Sequence, residues 1–218
     1  MVIYNGELYV SDPVTNLIKV YNASTMSQTP VRSFSIANVG LLDFDRQGFI
    51  WMLDTVQKKL IRFSATGEIQ SQSITFPSGI VPTSFCVDKT NDRILVTNNG
   101  DDQNVLIYTG IFGTPSQTST FGNLGGINSG TAGAIAPLKF SEPKGVGIDS
   151  SGNIFVANNG VTTARSSPPT AALIRLMRPS STPTSISSSS IWATRRRAAN
   201  GRWQPRPSTR SSIPMICV

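Results

Sequence analysis

Four polar residues recur at the same place in a repeated sequence pattern, and they are the chain's candidates for binding chemistry. Each one closes a short apolar stretch, and they are Asp12, Asp54, Asn98 and Asn158. Carboxylate and amide oxygens at equivalent positions could surround a cation or a polar ligand if the repeats bring them together. Asp and Asn also cap the turns they enter by accepting backbone hydrogen bonds, and that structural role is the stronger expectation here.

Histidine is absent from the whole chain, and its absence limits the available catalytic chemistry. Without an imidazole, Ser-His-Asp triads, histidine general bases and histidine metal sites are excluded. The two cysteines, Cys86 and Cys217, provide neither a disulfide framework nor a metal-ligand spacing. The sequence therefore indicates no catalytic residue, no metal site and no cofactor.

Short β-strands position these polar residues. In the clearest copy, apolar residues at every second position precede and follow a turn at 149–153, and the second strand ends at Asn158. This arrangement is the sequence form of a β-hairpin. In the three earlier copies a third strand follows the polar anchor and ends on an aromatic residue: Tyr21, Phe63 and Tyr108.

The anchors are spaced 42, 44 and 60 residues apart, and an inserted loop explains the last spacing. A period of ~40–50 residues with several strands and no helical stretch is typical of β-propeller blades. Neighbouring blades bury each other's faces, so an inner strand such as residues 50–53 is apolar on both sides. We assign Trp51 and Phe155 to the core between blades. The chain is expected to enter its first copy in mid-blade, without a first strand. We predict an all-β fold: a partial β-propeller of about four blades with a disordered or non-native C-terminal tail.

The last copy resembles an NHL repeat, the blade unit of a family of six-bladed β-propellers. Its pattern is Pro143-x-Gly145-Val146-x-Ile148-Asp149-x-x-Gly152-x-Ile154-Phe155-Val156-Ala157-Asn158. The resemblance covers roughly residues 1–160 and is weakest in the second copy, where the proline and the leading glycine are missing. It implies a fragment of a larger NHL-repeat-like protein that binds partners, and it does not imply one activity.

The composition changes abruptly near residue 164, where we place a boundary. Residues 1–164 contain ten Lys and Arg and twelve Asp and Glu, whereas residues 165–218 contain nine Arg and no acidic residue. We predict a partial propeller of NHL-like blades over 1–164 and an Arg/Ser/Pro-rich tail, disordered or frameshifted, over 165–218. A nucleic-acid-binding arm and a solvated linker are the other interpretations of the tail. We favour a frame error because the fourth copy stops after its second strand, which leaves an open edge.

The leading functional hypothesis is a non-catalytic propeller module that binds a protein or glycan partner. A propeller-type, metal-dependent hydrolase or lactonase is the alternative, and nucleic-acid binding through the tail ranks third. A glycine-rich insertion at 122–137 is expected to form an inter-blade loop at one face, and Asp101 and Asp102 an exposed turn. We expect no membrane partner, because no apolar run is long enough to span a bilayer. No signal-peptide pattern is present, and the compartment stays open, with a secreted or periplasmic parent as one alternative.

Overall fold

The computed structural model describes residues 1–25 and 27–160, and the predicted tail at 165–218 lies outside this part of the chain. The described residues form fourteen β-strands and one short 3-10 helix, Gly126–Asn128. The strands are β1 (Val2–Tyr4), β2 (Glu7–Asp12), β3 (Leu17–Asn22), β4 (Arg32–Ser35), β5 (Leu41–Phe44), β6 (Ile50–Asp54), β7 (Lys59–Phe63), β8 (Ile69–Thr75), β9 (Pro82–Asp88), β10 (Arg93–Asn98), β11 (Asn104–Thr109), β12 (Ser116–Phe121), β13 (Pro143–Ile148) and β14 (Ile154–Asn158). Among these residues, no helix is long and apolar enough to cross a membrane.

The strands form four antiparallel sheets in chain order. The first sheet is β1–β4, the second β5–β8 and the third β9–β12, each with its strands in sequence order, and β13 and β14 form the fourth sheet. The first strands of successive sheets contact one another, β1 with β5, β5 with β9 and β9 with β13. The fourth strands β4, β8 and β12 are the most exposed. The sheets are therefore blades with their first strands innermost, and the predicted partial β-propeller is confirmed.

A separate hydrophobic core fills each space between neighbouring sheets. Tyr9 of the first sheet packs edge-on against Phe44 of the second, with ring centroids 4.8 Å apart. Trp51 is fully buried between the second and third sheets, as predicted. The same expectation is wrong for Phe155, which is only half-buried on the side of the fourth sheet that faces away from the third. No described sheet follows the fourth, so no described blade packs against that side.

The first blade has its inner strand, contrary to the expected mid-blade entry. Strand β1 pairs with β2 across a two-residue turn formed by Asn5 and Gly6. Their φ angles are 47° and 75°, and a type I′ hairpin turn needs positive φ at both central residues. Strand β1 has three residues, too few to show an alternating pattern in the sequence, and this is why the prediction missed it.

An aspartate-led turn precedes the second strand of the second, third and fourth sheets, as the sequence predicts. The Oδ1 atom of Asp45 accepts hydrogen bonds from the backbone N–H groups of Gln47 and Phe49, at 2.9 and 3.1 Å. Asp88 and Asp149 accept similar backbone bonds in their own turns. Because these bonds are local, each hairpin stabilises its own turn without contacts from a neighbouring blade.

Candidate functional site

All four predicted site residues lie on one face of the blades. Asp12, Asp54, Asn98 and Asn158 are the last residues of β2, β6, β10 and β14, the second strands of their sheets. In an antiparallel meander, the end of the second strand and the connection into the next sheet lie at the same end. We call this end the anchor face. No hydrogen bond among the described residues joins any two of the four side chains.

Asp12 caps the turn that follows its own strand. Its Oδ1 atom accepts hydrogen bonds from the backbone N–H groups of Val14 and Thr15, at 3.1 and 3.2 Å. Its Oδ2 atom accepts a bond from Lys19 Nζ at 2.6 Å. This bond is the main reason that the pKa of the Asp12 carboxyl is lowered from its ordinary value. Both carboxylate oxygens therefore have partners within the first sheet.

Asp54 has the same capping role in the second sheet, but it is buried. Its Oδ1 atom accepts backbone hydrogen bonds from Val56 and Gln57, at 2.9 and 2.8 Å. Its Oδ2 atom accepts a bond from Asn38 Nδ2 at 2.9 Å. Asp54 is 1% exposed, so its carboxylate oxygens accept these hydrogen bonds from within the fold. Ligand binding by Asp12 and Asp54 stays a prediction.

Asn98 is fully buried beneath the anchor face and positions two loops. Its Oδ1 atom accepts hydrogen bonds from the backbone N–H groups of Val81 and Gly100, at 3.0 and 2.8 Å. Its Nδ2 atom donates to Asn104 Oδ1 at 3.3 Å. At Gly100 a Cβ atom would lie 2.2 Å from the carbonyl oxygen of Gly79, so the loop can approach this closely only with glycine.

Asn158 holds the segment that leads into the fourth sheet. Its Oδ1 atom accepts a hydrogen bond from the backbone N–H of Ser141 at 2.6 Å. The backbone N–H of Gly160 donates to the Ser141 carbonyl at 2.7 Å, and that of Asn159 to the Glu142 carbonyl at 3.4 Å. These bonds fix the backbone on both sides of Glu142, whose side chain is exposed.

An open polar cleft lies on the anchor face between the loops that Asn98 and Asn158 hold. Its volume is about 630 Å³, within the range typical of small-molecule sites. Its lining includes Val81, Asn99, Asp101, Gln103, Asn128 and Glu142. Two of the predicted site residues, Asn98 and Asn158, therefore hold the loops on opposite sides of this cleft. Asp12 and Asp54 lie at the corresponding ends of the other two sheets.

Three contacts join the two sides of the cleft. Gln103 Oε1 accepts a hydrogen bond from the backbone N–H of Glu142 at 3.0 Å. The backbone N–H of Gly125 donates to the Asp102 carbonyl at 3.1 Å. At Gly126 a Cβ atom would lie 2.6 Å from the Cβ of Gln103, so the loop packs directly against the cleft wall. The cleft is therefore part of the folded scaffold, even though loops line it.

The cleft has an excess of negative charge. Within the described residues, no salt bridge reaches Asp101, Asp102 or Glu142. Lys139 lies nearby in sequence, but its Nζ atom donates to the carbonyl of Thr131. None of the residues lining the cleft is Lys or Arg. A cationic group would therefore meet two uncompensated carboxylates there.

Sequence reasoning missed most of the side chains that line the cleft. It predicted Asp101 in an exposed turn. The structure confirms that Asp101 is exposed and shows that it lines a cleft together with Glu142. Gln103, Asn128 and Glu142 carried no recognisable motif. The available signal was the insertion at 122–137, predicted as an inter-blade loop at one face. Among residues 1–25 and 27–160, no group of three His, Cys, Asp or Glu side chains is placed to hold a metal ion.

Comparison with solved structures identifies proteins that share this architecture. Virginiamycin B lyase from Staphylococcus aureus is 15% identical, with a TM-score of 0.50 over 82% of this chain and 54% of that one. A streptogramin B lyase is 18% identical, with a TM-score of 0.51 over 82% of this chain and 53% of that one. The periplasmic gluconolactonase of Pseudomonas aeruginosa is 16% identical over 71% of this chain and 44% of that one, with a TM-score of 0.49.

The shared feature is a propeller-type fold. At these identities the similarity shows the fold alone. This chain spans about half the length of the two lyases. No protein-family model matches the chain and no curated protein matches it, so the NHL-repeat resemblance stays a prediction.

Proposed function

We propose that the described blades form a binding module that accepts a basic segment of a protein partner in the cleft of the anchor face. The observation that supports this is the cleft itself, an open space of about 630 Å³ whose lining includes two carboxylates and three side-chain amides. Lys and Arg of a partner would supply the missing positive charge, and the amides would bond to its backbone.

A protein partner is favoured over a glycan because of what lines the cleft. Sugar rings commonly stack on aromatic side chains, and none of the lining residues is aromatic. Among the described residues, the carboxylates of Asp101 and Glu142 make no salt bridge, so a neutral sugar would leave them without a direct ionic partner. A basic peptide provides both charge compensation and hydrogen-bond donors.

Calorimetric titration of the full chain tests the proposal. The probes are a Lys/Arg-rich peptide, an acidic peptide of equal length and a neutral oligosaccharide. We expect binding of the basic peptide alone, weakening as salt is raised because exposed charges are screened. Asp101→Asn and Glu142→Gln should each weaken it about tenfold, equivalent to about 1.4 kcal/mol.

Glu68→Gln is the matched control, because Glu68 is an exposed carboxylate of the second sheet outside the cleft. This variant should bind the basic peptide like the unmodified chain. Equal binding of the acidic peptide, or equal loss in all three variants, would contradict a specific basic-peptide site. Binding of the oligosaccharide alone would instead favour the glycan interpretation.

The hydrolase or lactonase alternative remains a separate hypothesis. A second titration with Mg²⁺ or Ca²⁺ distinguishes it from a binding module. A tight divalent site that Asp54→Ala abolishes, in a variant whose circular dichroism is unchanged, would favour the metal-dependent enzyme. The folding check is needed because Asp54 also caps its own turn.

A further inference from the structure

The anchor face carries most of the exposed apolar side chains of the described blades. Among residues 1–25 and 27–160, ten large apolar side chains are exposed, and six of them lie in or directly beside the turns and inter-sheet connections of this face. These six are Val14, Leu41, Val56, Val81, Leu124 and Ile135. Single exposed apolar residues are ordinary on a protein surface, whereas their concentration at one end of the blades is typical of an interaction surface.

Val81 is an apolar residue of the cleft lining, and its backbone is held on both sides. Its N–H donates to Asn98 Oδ1 at 3.0 Å, and its carbonyl accepts a hydrogen bond from the backbone N–H of Asn99 at 2.8 Å. Val81 is 41% exposed. The cleft therefore presents a partly exposed apolar residue on a fixed stretch of backbone.

Leu124 lies beside the cleft in the insertion at 122–137, and the residues on both sides of it are fixed. The backbone N–H of Asn123 donates to the Leu138 carbonyl at 2.7 Å, and that of Gly125 donates to the Asp102 carbonyl at 3.1 Å. Asp102 directly follows Asp101 of the cleft lining. Leu124 is 70% exposed. A second apolar side chain is thus held at the margin of the cleft.

Charge alone gives this cleft little affinity for a partner. The carboxylates of Asp101 and Glu142 are exposed, and ion pairs with exposed carboxylates are weakened by water and by salt. Their main effect is to select and orient a partner. Apolar area removed from water contributes binding free energy that does not depend on charge. Because the backbone at Val81 and Leu124 is already fixed, packing a partner on them requires little additional ordering of this chain.

Building on the basic-segment site proposed above, we infer that the partner segment is amphipathic, with apolar residues interspersed among its Lys and Arg. Its basic residues pair with Asp101 and Glu142, and its apolar residues pack on Val81 and Leu124. A uniformly basic segment leaves both apolar side chains in water, and a neutral apolar segment leaves both carboxylates without an ionic partner. The apolar residues of the partner therefore determine most of the affinity, and the basic residues determine where the segment binds.

Calorimetric titration of the full chain with three peptides of equal length tests this inference. The first peptide alternates Lys or Arg with Leu or Val. The second has every apolar residue of the first replaced by Ser, and the third has every basic residue of the first replaced by Gln. We expect the first peptide to bind at least about tenfold more tightly than either of the others.

Val81→Ser and Leu124→Ser should each lower the affinity for the first peptide several-fold and leave the affinity for the second unchanged, because only the first has apolar side chains to pack on them. Ile69→Ser is the matched control. Ile69 is 72% exposed and begins β8, at the end of the second sheet opposite to the anchor face. This variant should bind both peptides like the unmodified chain.

The outcomes separate this inference from the function on which it rests. Equal affinities for the first and second peptides overturn the amphipathic partner and leave the basic-segment site intact. Unchanged affinity for the first peptide in Val81→Ser and Leu124→Ser does the same, and Leu124→Ser alone carries the test if circular dichroism shows Val81→Ser to be unfolded. If the third peptide binds as tightly as the first, or if no peptide binds, the basic-segment site is overturned together with this inference.

Discussion

At the scale of single residues, Asn98 shows how one amide can define a binding cleft without touching a ligand. It satisfies the backbone N–H groups of Val81 and Gly100 from a fully buried position. Asn98→Ala should lower the free energy of unfolding by about 1–3 kcal/mol, because these donors lose their acceptor. Chemical denaturation measures the change. Asn159 is exposed, so the free energy of unfolding of Asn159→Ala should lie within about 0.5 kcal/mol of that of the unmodified chain. An equally small change for Asn98→Ala would contradict the proposed role of Asn98.

The buried pair of Asp45 and Arg62 gives a second prediction at this scale. Their side chains are 0% and 5% exposed, and Arg62 Nε donates to Asp45 Oδ2 at 2.8 Å. Trp51 Nε1 donates to the same oxygen at 3.2 Å. Asp45→Asn should cost about 3–5 kcal/mol of unfolding free energy, because the guanidinium stays buried without its counter-charge.

Asp101→Asn is the comparison for the buried pair. Asp101 is exposed and makes no salt bridge with a described residue. The free energy of unfolding of Asp101→Asn should therefore lie within about 0.5 kcal/mol of that of the unmodified chain. Equal denaturation midpoints for the Asp45 and Asp101 variants would show that the buried pair contributes no net stability. The same measurement also establishes that the cleft variant is folded when it is used for peptide binding.

At the scale of strands, the sequence identified the second strand of all four sheets and the third strand of the first three, and it missed others. The second strands of the second and third sheets are recognisable because both of their faces are buried, as in Ile50–Asp54. Strand β12, Ser116–Phe121, was missed because its exposed position at the blade periphery permits polar residues throughout. The cleft was missed for a related reason. Its carboxylates come from two loops brought together by Gln103 and Asn158, and long-range contacts of that kind have no local pattern.

The first sheet should be the element most sensitive to acid. A hydrogen bond from Arg32 lowers the pKa of Glu7, and one from Lys19 lowers the pKa of Asp12. A lowered pKa in the folded state stabilises the protein above the ordinary carboxyl pKa of ~4. That stabilisation is lost as the pH falls through the folded-state values. We therefore expect the free energy of unfolding to decrease below about pH 4.

Denaturant unfolding between pH 7 and pH 2 checks this dependence. A Glu7→Gln, Asp12→Asn double variant should be less stable at pH 7 and show a shallower decrease in acid, since the two protons no longer bind. Glu68→Gln should keep the full pH dependence. Parallel pH curves for the double variant and the unmodified chain would mean that these two hydrogen-bonded carboxyls do not control acid unfolding.

At the scale of the whole molecule, stability depends on the number of neighbours that each sheet has. The second sheet shares one core with the first and another with the third, whereas the outer faces of the first and fourth sheets have no described partner. In stacked repeats, stability is approximately a sum of unit and nearest-neighbour terms. The third sheet likewise shares cores with the second and the fourth, so the second and third sheets should open less often than the first and the fourth.

Amide hydrogen exchange tests this distribution. Strands β6 and β10 should exchange slowest, because both are buried on both faces, and β2 and β14 should exchange faster. Uniform exchange across β2, β6 and β14 would contradict the nearest-neighbour account.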